Sequence, residues 1–387
     1  MPSCSSNRQG PSLPRVLILC EYGSLNGGEQ SLLAVLDGVR GAGFQVHVGA
    51  PLGGPLARAL GDRQIPFVPL ALHDPAGRRW PLAECRPLIR AALDHVRPQL
   101  LHANSLSMSR LAGPIVAELG VPSIGHLRDI VGVNQATLAD LNRHPRLLAV
   151  SQATRDWYLR AGVAADKIHV LFNGVDLTRF QPRPADGFLQ RELGLSPTAP
   201  LVGAIGQIGM RKGLHSLARA AQVVVREVPA AHFVVVGRRY SDKHEAHQYE
   251  AELQRLASAD PLAGHFHFLG LRDDVDRLLN EFTILAHAAR QEPLGRVLLE
   301  AAAAGTPVVA TDVGGTREIF PDDETAVLVP ADDAFALAVA IVAVLRNPAR
   351  RRQLSIAARR RATMAFDAHH AAASLATHYD AVLGGRP

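Results

Sequence analysis

The feature that most restricts the fold of this chain is a pattern that occurs twice. A short buried strand runs into a glycine-containing stretch, and a helix follows. The first copy is the strand 15–21 with Gly27 and Gly28 behind it, and the second is the segment 201–213, in which a buried strand runs into a glycine loop with Arg211 and Lys212. Apolar strand-like runs alternate with helices after each copy, which predicts α/β domains with doubly wound parallel sheets. A chain of 387 residues is long enough for two of them.

The pattern also predicts the domain limits. Residues 1–14 are polar and lack the apolar segment of a signal peptide, so we expect a disordered lead-in. A first Rossmann-like domain is predicted for 15–181, and the proline-containing stretch 182–187 is its linker to a second such domain at 188–366. The C-terminal region 367–387 is expected to hold a helix that crosses back to the first domain.

Composition restricts the class of protein. The chain is 47% hydrophobic with 5% aromatic residues, which is typical of a soluble globular protein. The sequence contains no run of eighteen apolar residues, the length that could span a membrane. The cytoplasm is therefore the expected location. Cys4, Cys20 and Cys85 are odd in number and lack the spacing of metal ligands. They fit a reducing compartment and argue against a zinc site or a disulfide scaffold.

The net charge of +5 favours anionic partners. Much of the excess lies in one cluster of arginines, which consists of Arg346, Arg350, Arg351, Arg352, Arg359, Arg360 and Arg361. Two explanations remain open, a solvated helix face and peripheral contact with an anionic membrane surface, where a lipid-linked acceptor would lie. No aromatic stacking platform accompanies the arginines, so nucleic acid is not an expected partner.

Two glutamates carry the strongest chemical signal. Glu292 and Glu300 are separated by seven residues, and a helix is predicted to begin between them, near Pro293. A rise of 1.5 Å per residue would place the carboxylates roughly 12 Å apart, about the distance from the hexose to the ribose of a sugar nucleotide. The alternative is that Glu292 caps the helix and Glu300 is solvated. The N–H groups that could hold a diphosphate belong to Leu294, Gly295 and Arg296.

The residues that follow extend this signal. Four alanines lead to Gly305, where the helix should end, and a buried strand is predicted at 308–311. Gly314 and Gly315 then form a loop that would let backbone approach a ligand. The segment 292–319 resembles the GT-B glycosyltransferases, most closely the retaining family 4, whose signature is a pair of glutamates with this separation, a small-residue helix, a Gly-x-Pro-Val-Val strand and a Gly-Gly loop.

The resemblance implies a fold and an activity. The fold is two Rossmann-like domains facing across a cleft, with the donor mostly on the second and the acceptor mostly on the first. The activity is transfer of a hexosyl unit from a nucleoside diphosphate sugar to a hydroxyl group, with retention of anomeric configuration. Glu292 would contact the donor sugar and Glu300 the ribose. No metal or other cofactor is implied, because Lys212, Arg211 and the helix start at 294–296 would supply the positive charge instead. The departing phosphate would itself take the acceptor proton, so no dedicated general base is implied.

Further positions match the family on the donor side. Lys212 with the following glycine corresponds to a diphosphate-binding Lys-Gly, although a plain surface loop is the alternative. The family commonly has an arginine where this chain has Gln207, and Arg211 is the candidate replacement. Leu271 and Arg272 lie in a segment that resembles the loop near the nucleotide base. The segment before Glu292 lacks the usual Pro-Ser and is expected to tune donor choice.

Candidates in the first half are less specific. Gly27 and Gly28 resemble a family loop near the donor phosphates, with a tight turn as the alternative. His126 lies at a strand end where the family places a histidine that contacts the donor sugar, although such a histidine can be purely structural. The candidates on the acceptor side are His102, Asn104 and Arg128.

Some histidines and some functions are weighed differently. His265 and His267 alternate with aromatic residues on a strand and are interpreted as structural rather than as a metal pair. A nucleotide-sugar epimerase on the same fold and a catalytically silent sugar-nucleotide binder are the alternative functions. The nucleotide base, the hexose and the acceptor are not determined by these motifs.

Overall fold

A computed structural model describes residues 13–384, so Cys4 and residues 1–12 of the predicted lead-in lie outside the described range. The chain divides into two compact units. Of the described residues, the first unit contains 13–149, 158–171 and 372–384, and the second contains 150–157 and 172–371. The second unit therefore includes 150–157 and 172–181 in addition to residues after the predicted linker at 182–187.

Within residues 13–384, the first unit holds a sheet of seven parallel strands in the order β3-β2-β1-β4-β5-β6-β7. The strands are β1 Arg15–Leu19, β2 Gln45–Ala50, β3 Phe67–Pro69, β4 Leu100–Ala103, β5 Ser123–Leu127, β6 Arg146–Ala149 and β7 Ile168–Val170. The central strands are buried along nearly their whole length, because helices cover both faces of such a sheet. This is the predicted doubly wound fold.

Helices connect these strands. They are α1 Gly27–Gly41, α2 Gly54–Asp62, α3 Leu82–Val96, α4 Leu106–Leu119, α5 Gln135–Leu141 and α6 Gln152–Ala161. The prediction placed Gly27 and Gly28 in a loop, whereas the structure places both in the first turn of α1. The helix can begin this early because the Glu29 carboxylate accepts a hydrogen bond from the backbone N–H of Asn26, at 3.1 Å.

The second unit has a sheet of six parallel strands in its described residues, in the order β10-β9-β8-β11-β12-β13. The strands are β8 Leu201–Ile205, β9 His232–Val236, β10 Phe266–Gly270, β11 Ile284–His287, β12 Val308–Thr311 and β13 Val327–Val329. The strand order reverses at β8, where β9 lies on one side and β11 on the other. Ligands of open α/β sheets bind at such a reversal, beyond the carboxyl ends of the strands.

The remaining helices follow from the predicted pattern. They are α7 Phe188–Glu192, α8 Leu214–Glu227, α9 His244–Ser258, α10 Val275–Glu281, α11 Arg296–Ala304, α12 Thr316–Ile319, α13 Ala334–Leu345, α14 Pro348–Ala365 and α15 Ala368–Val382. From Ala372 onward, α15 belongs to the first unit. It packs closely on α1, because a Cβ atom on Gly38 would lie 2.5 Å from the Cβ atom of Ala372. The rings of Phe44 and Tyr379 also meet edge to face, with centroids 5.2 Å apart.

The arginine cluster of α14 is mostly engaged in contacts within the second unit. Arg351 donates to the carbonyl of Val344 at 3.0 Å, and Arg359 donates to the carbonyl of Phe180 at 2.8 Å. Arg361 donates to the carbonyl of Glu318 at 3.1 Å. The arginines that carry such contacts are Arg346, Arg350, Arg351, Arg359 and Arg361. Most arginines of the cluster therefore donate hydrogen bonds to backbone carbonyls. Neither the solvated helix face nor the membrane contact considered from sequence predicts these bonds.

Candidate functional site

The centre of the candidate site is a buried carboxylate at the strand-order reversal of the second sheet. The Oε2 atom of Glu292 lies 2.5 Å from Nζ of Lys212 and 2.8 Å from Nε2 of His287. Lys212 follows β8 and His287 ends β11, so adjacent strands deliver the cation and the imidazole to one oxygen. A guanidinium nitrogen of Arg211 lies 4.0 Å from the other oxygen, Oε1. The structure thus brings together three of the predicted donor-site residues.

Backbone geometry fixes the position of Lys212. A short 3₁₀ turn at Met210–Lys212 ends at Gly213, whose φ of +62° is in the left-handed region. A Cβ atom on Gly213 would lie 1.8 Å from the carbonyl oxygen of Ala288, so only glycine allows this turn to touch the residue after β11. The Arg211 carbonyl accepts a hydrogen bond from the N–H of Arg290 at 2.9 Å and fastens the same two segments.

The electrostatics of the cluster keep Glu292 ionised. Burial alone would raise the pKa of its carboxyl group, but the charge of Lys212 and the hydrogen bond from His287 outweigh burial and hold that pKa well below its usual range. Burial and the positive charge of Lys212 lower the pKa of His287, although Glu292 opposes them. A neutral His287 therefore donates from Nε2 to a charged carboxylate.

The Gly-Gly loop after β12 has a different role from the predicted one. The sequence suggested that Gly314 and Gly315 let backbone approach a ligand, whereas in the structure they approach the backbone of the site itself. The N–H of Gly315 donates to the carbonyl of Glu292 at 3.0 Å. A Cβ atom on Gly315 would lie 2.5 Å from the carbonyl oxygen of Pro293. The loop is thus a support on which the Glu292 segment rests.

The helix after Glu292 begins later than predicted. The structure starts α11 at Arg296, three residues beyond Pro293, because Gly295 adopts a left-handed φ of +102° and cannot continue a regular first turn. Glu300 is consequently the fifth helical residue and lies little more than one turn from the start, rather than about two turns. The helix ends at Gly305 as predicted, with φ of +72°.

Glu300 is held by the first residue of the same helix. The Nε atom of Arg296 donates to Oε1 of Glu300 at 2.7 Å, and NH2 of Arg296 contacts the same oxygen. Glu300 is buried, with 7% of its surface exposed, so the alternative of a solvated Glu300 is wrong. Within residues 13–384 no hydrogen bond falls on its second oxygen, Oε2.

The other predicted donor-side residues lie elsewhere in the second unit. Leu271 is exposed and directly follows β10. Arg272 is committed to two carboxylates, since it donates to Asp274 at 2.8 Å and to Glu192 at 2.6 Å. The side chain of Arg272 is therefore engaged within the protein. Gln207 follows β8 in the position where the family has an arginine.

The first unit gathers its candidates around Asn104. Arg128 donates from Nε to the Asn104 carbonyl at 3.0 Å and from NH2 to Oδ1 of Asn104 at 2.7 Å. Asn104 in turn donates to the carbonyl of Gly28 at 3.5 Å. A Cβ atom on Gly28 would lie 3.2 Å from Cδ of Arg128, so a small residue is needed where the arginine passes the start of α1. Gly27 meets no atom within 4 Å at its own Cβ position.

The two histidines at the strand ends form one buried chain. His102 has no exposed surface, and its Nδ1 lies 2.7 Å from the hydroxyl oxygen of Tyr379. Its Nε2 lies 3.3 Å from Nδ1 of His126. Both nitrogens of His102 are thus engaged by side chains, and the predicted contact of its ring with an acceptor is not available in this structure. His126 is 2% exposed and keeps its Nε2 atom without a partner among the described residues.

Two residues of these arrangements were missed by the sequence interpretation. His287 was seen only as part of a departure from the family motif, although its place at the end of a strand beside the reversal could have marked it. Tyr379 lies 277 residues from His102 along the chain, and no local pattern connects them.

No group of three or more His, Cys, Asp or Glu side chains in residues 13–384 has an arrangement suited to a metal ion. Nδ1 of His265 instead lies 3.0 Å from the carbonyl oxygen of Ala231. Nε2 of His267 lies 3.2 Å from Nδ1 of His232. Among the described helices, none is both long enough and apolar enough to cross a membrane.

Comparison with family models matches both halves of the chain. Residues 25–179 match the model of glycosyltransferase family 4, and residues 187–361 match that of the glycosyl transferases group 1. Together the matches cover every strand of the two sheets except β1. The candidate residues Lys212, Glu292 and Glu300 lie in the second matched segment, and His126 lies in the first.

Curated relatives and solved structures agree with this match. The chain is 30% identical to a phosphatidyl-myo-inositol mannosyltransferase of Mycolicibacterium smegmatis over 358 residues, which cover 86% of this chain and 85% of the relative. It is 32% identical to an alpha-maltose-1-phosphate synthase of the same organism, but this match spans only 58% of this chain and 60% of the relative. The structure of Anabaena HepE, solved with UDP and glucose, superposes with a TM-score of 0.84 over 95% of this chain and all of that chain, at 24% identity. That likeness shows the fold.

Proposed function

Because this chain belongs to the group 1 glycosyltransferases of family 4, we propose that it moves a hexosyl unit from a nucleoside diphosphate sugar to an acceptor hydroxyl, with retention of anomeric configuration. The glycosyltransferase activity follows from the family. The donor class, the stereochemistry and the roles of individual residues are the content of the proposal.

The observation that carries the proposal is the buried contact between Lys212 and Glu292, at 2.5 Å. The two side chains neutralise one another at the edge of the sheet where α/β proteins bind ligands. A nucleoside diphosphate hexose offers each a separate partner. The diphosphate would form an ion pair with the ammonium group of Lys212. The sugar hydroxyls would donate hydrogen bonds to the carboxylate of Glu292, which also accepts one from His287.

Charge stabilisation is the main task of this arrangement. As the bond between sugar and phosphate breaks, negative charge grows on the departing diphosphate. Lys212, the nearby Arg211 and the N–H groups at the start of α11 would oppose that charge. We therefore propose that no metal ion is required, and that the departing phosphate itself accepts the proton of the acceptor hydroxyl.

The other end of the donor is assigned to Glu300. Both contacts of Arg296 are with Oε1 of Glu300. The other oxygen, Oε2, could therefore accept a hydrogen bond from a ribose hydroxyl. This role predicts discrimination between ribose and deoxyribose in the donor. A Glu300→Gln variant should lose that discrimination, since an amide keeps only one accepting oxygen.

The acceptor side of the proposal rests on the first unit. Asn104 and Arg128 directly follow two of its strands at their carboxyl ends, where such sheets bind ligands. The phosphatidyl-myo-inositol mannosyltransferase is similar to this chain over most of its length, so a lipid-linked acceptor met at the inner face of a membrane is the first class to test. Nucleic acid is not proposed as a partner.

The test begins with a mass-spectrometric screen of UDP-, GDP- and ADP-hexoses with phosphatidylinositol and with soluble sugar acceptors. Glu292→Ala and Lys212→Ala should each lower turnover at least about 100-fold, whereas Lys243→Ala, an exposed lysine of the same unit, should not. Proton NMR of the first product should show the anomeric configuration of the donor, and EDTA should leave the rate unchanged. Wild-type-like turnover in both site variants would refute the proposed donor site, and isomerisation of the donor without acceptor would identify an epimerase.

A further inference from the structure

Three buried side chains of the first unit form a continuous hydrogen-bonded chain. It runs from the Tyr379 hydroxyl on α15 through His102 at the end of β4 to His126 on β5. The distances are 2.7 Å between the Tyr379 oxygen and Nδ1 of His102, and 3.3 Å between Nε2 of His102 and Nδ1 of His126. The planes of the two imidazole rings differ by only 20°, and the ring centres of His102 and His126 are 5.4 Å apart. The two nitrogens are much closer than the ring centres, which fits an N–H···N hydrogen bond in the plane of the rings.

The chain has a direction that follows from what each atom can donate. If Nδ1 of His102 donated to the Tyr379 oxygen, the phenolic hydrogen would need another acceptor. Residues 13–384 provide none for this fully buried hydroxyl group. A buried donor without an acceptor is costly. Tyr379 must therefore donate to Nδ1 of His102, which leaves the hydrogen of that ring on Nε2.

The same reasoning continues to the next ring. Nε2–H of His102 donates to Nδ1 of His126, so the single hydrogen of a neutral His126 lies on Nε2. Both rings are neutral near pH 7, because burial, followed by the positive charge of Arg128, lowers the pKa of His102 to about 3 and that of His126 well below its ordinary value. The Nε2 atom of His126 is buried and has no hydrogen-bond partner among the described residues.

We propose that Tyr379 and His102 are positioning residues that fix His126 as its Nε2–H tautomer, so that His126 presents a hydrogen-bond donor to an oxygen atom of the substrate and cannot act as a base through that nitrogen. The substrate oxygen is of the hydroxyl class, and this clause rests on the proposed function. The tautomer itself does not depend on it. The helix that completes the first unit thereby contributes to substrate recognition without touching the substrate.

Long-range ¹H–¹⁵N NMR of imidazole nitrogens distinguishes the tautomers directly. His126→Gln identifies the His126 signals by their loss. In the wild type we expect His126 to show a protonated Nε2 and an unprotonated Nδ1, unchanged from pH 6 to pH 8. In Tyr379→Phe, which keeps the ring contact with Phe44, the two tautomers should interconvert and average. The kcat/KM for the donor should then fall roughly 3- to 10-fold, the value of a neutral hydrogen bond, with little change in the KM for the acceptor.

A matched control is His144, another buried histidine of the same unit. Its Nδ1 lies 2.9 Å from the Ser123 hydroxyl, and its Nε2 lies 2.8 Å from the Ser109 carbonyl. Its signals should not change in Tyr379→Phe.

Each result decides the proposal. A wild-type His126 protonated on Nδ1, or charged at pH 7, overturns the direction of the chain even if Tyr379→Phe fails to fold. A folded Tyr379→Phe with an unchanged His126 tautomer overturns the role of Tyr379. An inactive wild-type protein with the expected tautomer would refute the proposed function and leave the hydrogen-bonded chain intact.

Discussion

The backbone of Gly314 touches the backbone of Glu292, since a Cβ atom on residue 314 would lie only 1.9 Å from the Glu292 carbonyl oxygen. The φ of Gly314 is +54°, in the left-handed region, which residues with a side chain rarely adopt. The carboxylate at the centre of the candidate site is therefore positioned from behind by a residue that sequence alone assigns to ligand binding.

Gly314→Ala should accordingly damage the donor site from outside it. The added methyl group must push the Glu292 segment away, so we expect a rise in donor KM of at least roughly 10-fold, as geometric displacement of a site commonly causes. Gly264→Ala is the control, because Gly264 has a similar φ of +79° and no atom within 4 Å of its Cβ position. It should cost about 1–2 kcal/mol of unfolding free energy from left-handed strain alone and leave KM unchanged. Equal kinetics in the two variants would contradict the role of Gly314.

The buried pair of Lys212 and Glu292 should show strong coupling in stability. Lys212→Met leaves a buried carboxylate without its cation, so we expect a loss of roughly 3–5 kcal/mol in the free energy of unfolding. Adding Glu292→Gln should restore most of that loss, because the amide is neutral, while turnover stays absent. The wild type, the two single variants and the double variant form a double-mutant cycle. Urea unfolding of these four proteins measures the coupling free energy between Lys212 and Glu292.

An exposed ion pair of the same unit supplies the comparison. Arg346 and Glu227 lie 2.8 Å apart but are more than half exposed. The corresponding cycle should give a coupling below about 1 kcal/mol. A coupling of that size at Lys212 and Glu292 would mean that the buried pair does not constrain the site.

His287 should set the acid limit of activity through Glu292. Its hydrogen bond is one reason that the pKa of the Glu292 carboxyl group is held below its usual range. His287→Leu removes that bond, so the pKa of Glu292 should rise and the acid limb of the kcat/KM profile should move to higher pH. His287→Gln can still donate and should shift the limb less. Identical profiles for the leucine variant and the wild type would show that His287 does not act on Glu292.

His144 should make the first unit sensitive to acid. Burial lowers its pKa to about 4 in the folded protein, whereas an unfolded histidine has a pKa of about 6.5. Between these values the unfolded state binds more protons, so stability rises with pH and is lost as the pH falls from about 6.5 to about 4. His144→Gln should make the slope in this window shallower by up to about 1.4 kcal/mol per pH unit. Chemical unfolding at a series of pH values measures it, and His370→Gln, at an exposed position, should keep the wild-type slope.

Much of the fold could be predicted because buried parallel strands are continuous apolar runs bounded by turn residues. The strand Val308–Thr311 has the predicted limits, residue for residue. The starts of α1 and α11 were wrong, since glycine suggests a loop while capping contacts and left-handed turns decide where a helix begins.

The candidate site was predictable only in part. Lys212 and Glu292 could be named from motifs, and the structure brings them together at the expected edge of the sheet. Their partner His287, and the pairing of Tyr379 with His102, depend on how distant segments pack, which local patterns do not encode. The role of Gly314 was misassigned for the same reason, because a close backbone approach looks alike in sequence whether the neighbour is a ligand or the protein itself.

The close packing of α15 against α1, at Gly38 and Ala372, has a consequence for biosynthesis. The first unit is discontinuous, and the segment that fills its core around Phe44 emerges from the ribosome only after the entire second unit. The nascent N-terminal portion must wait with that apolar surface uncovered, although N-terminal domains generally fold first during synthesis. We expect the second unit to reach its native state earlier in translation, with the final helix closing the first unit as the last step.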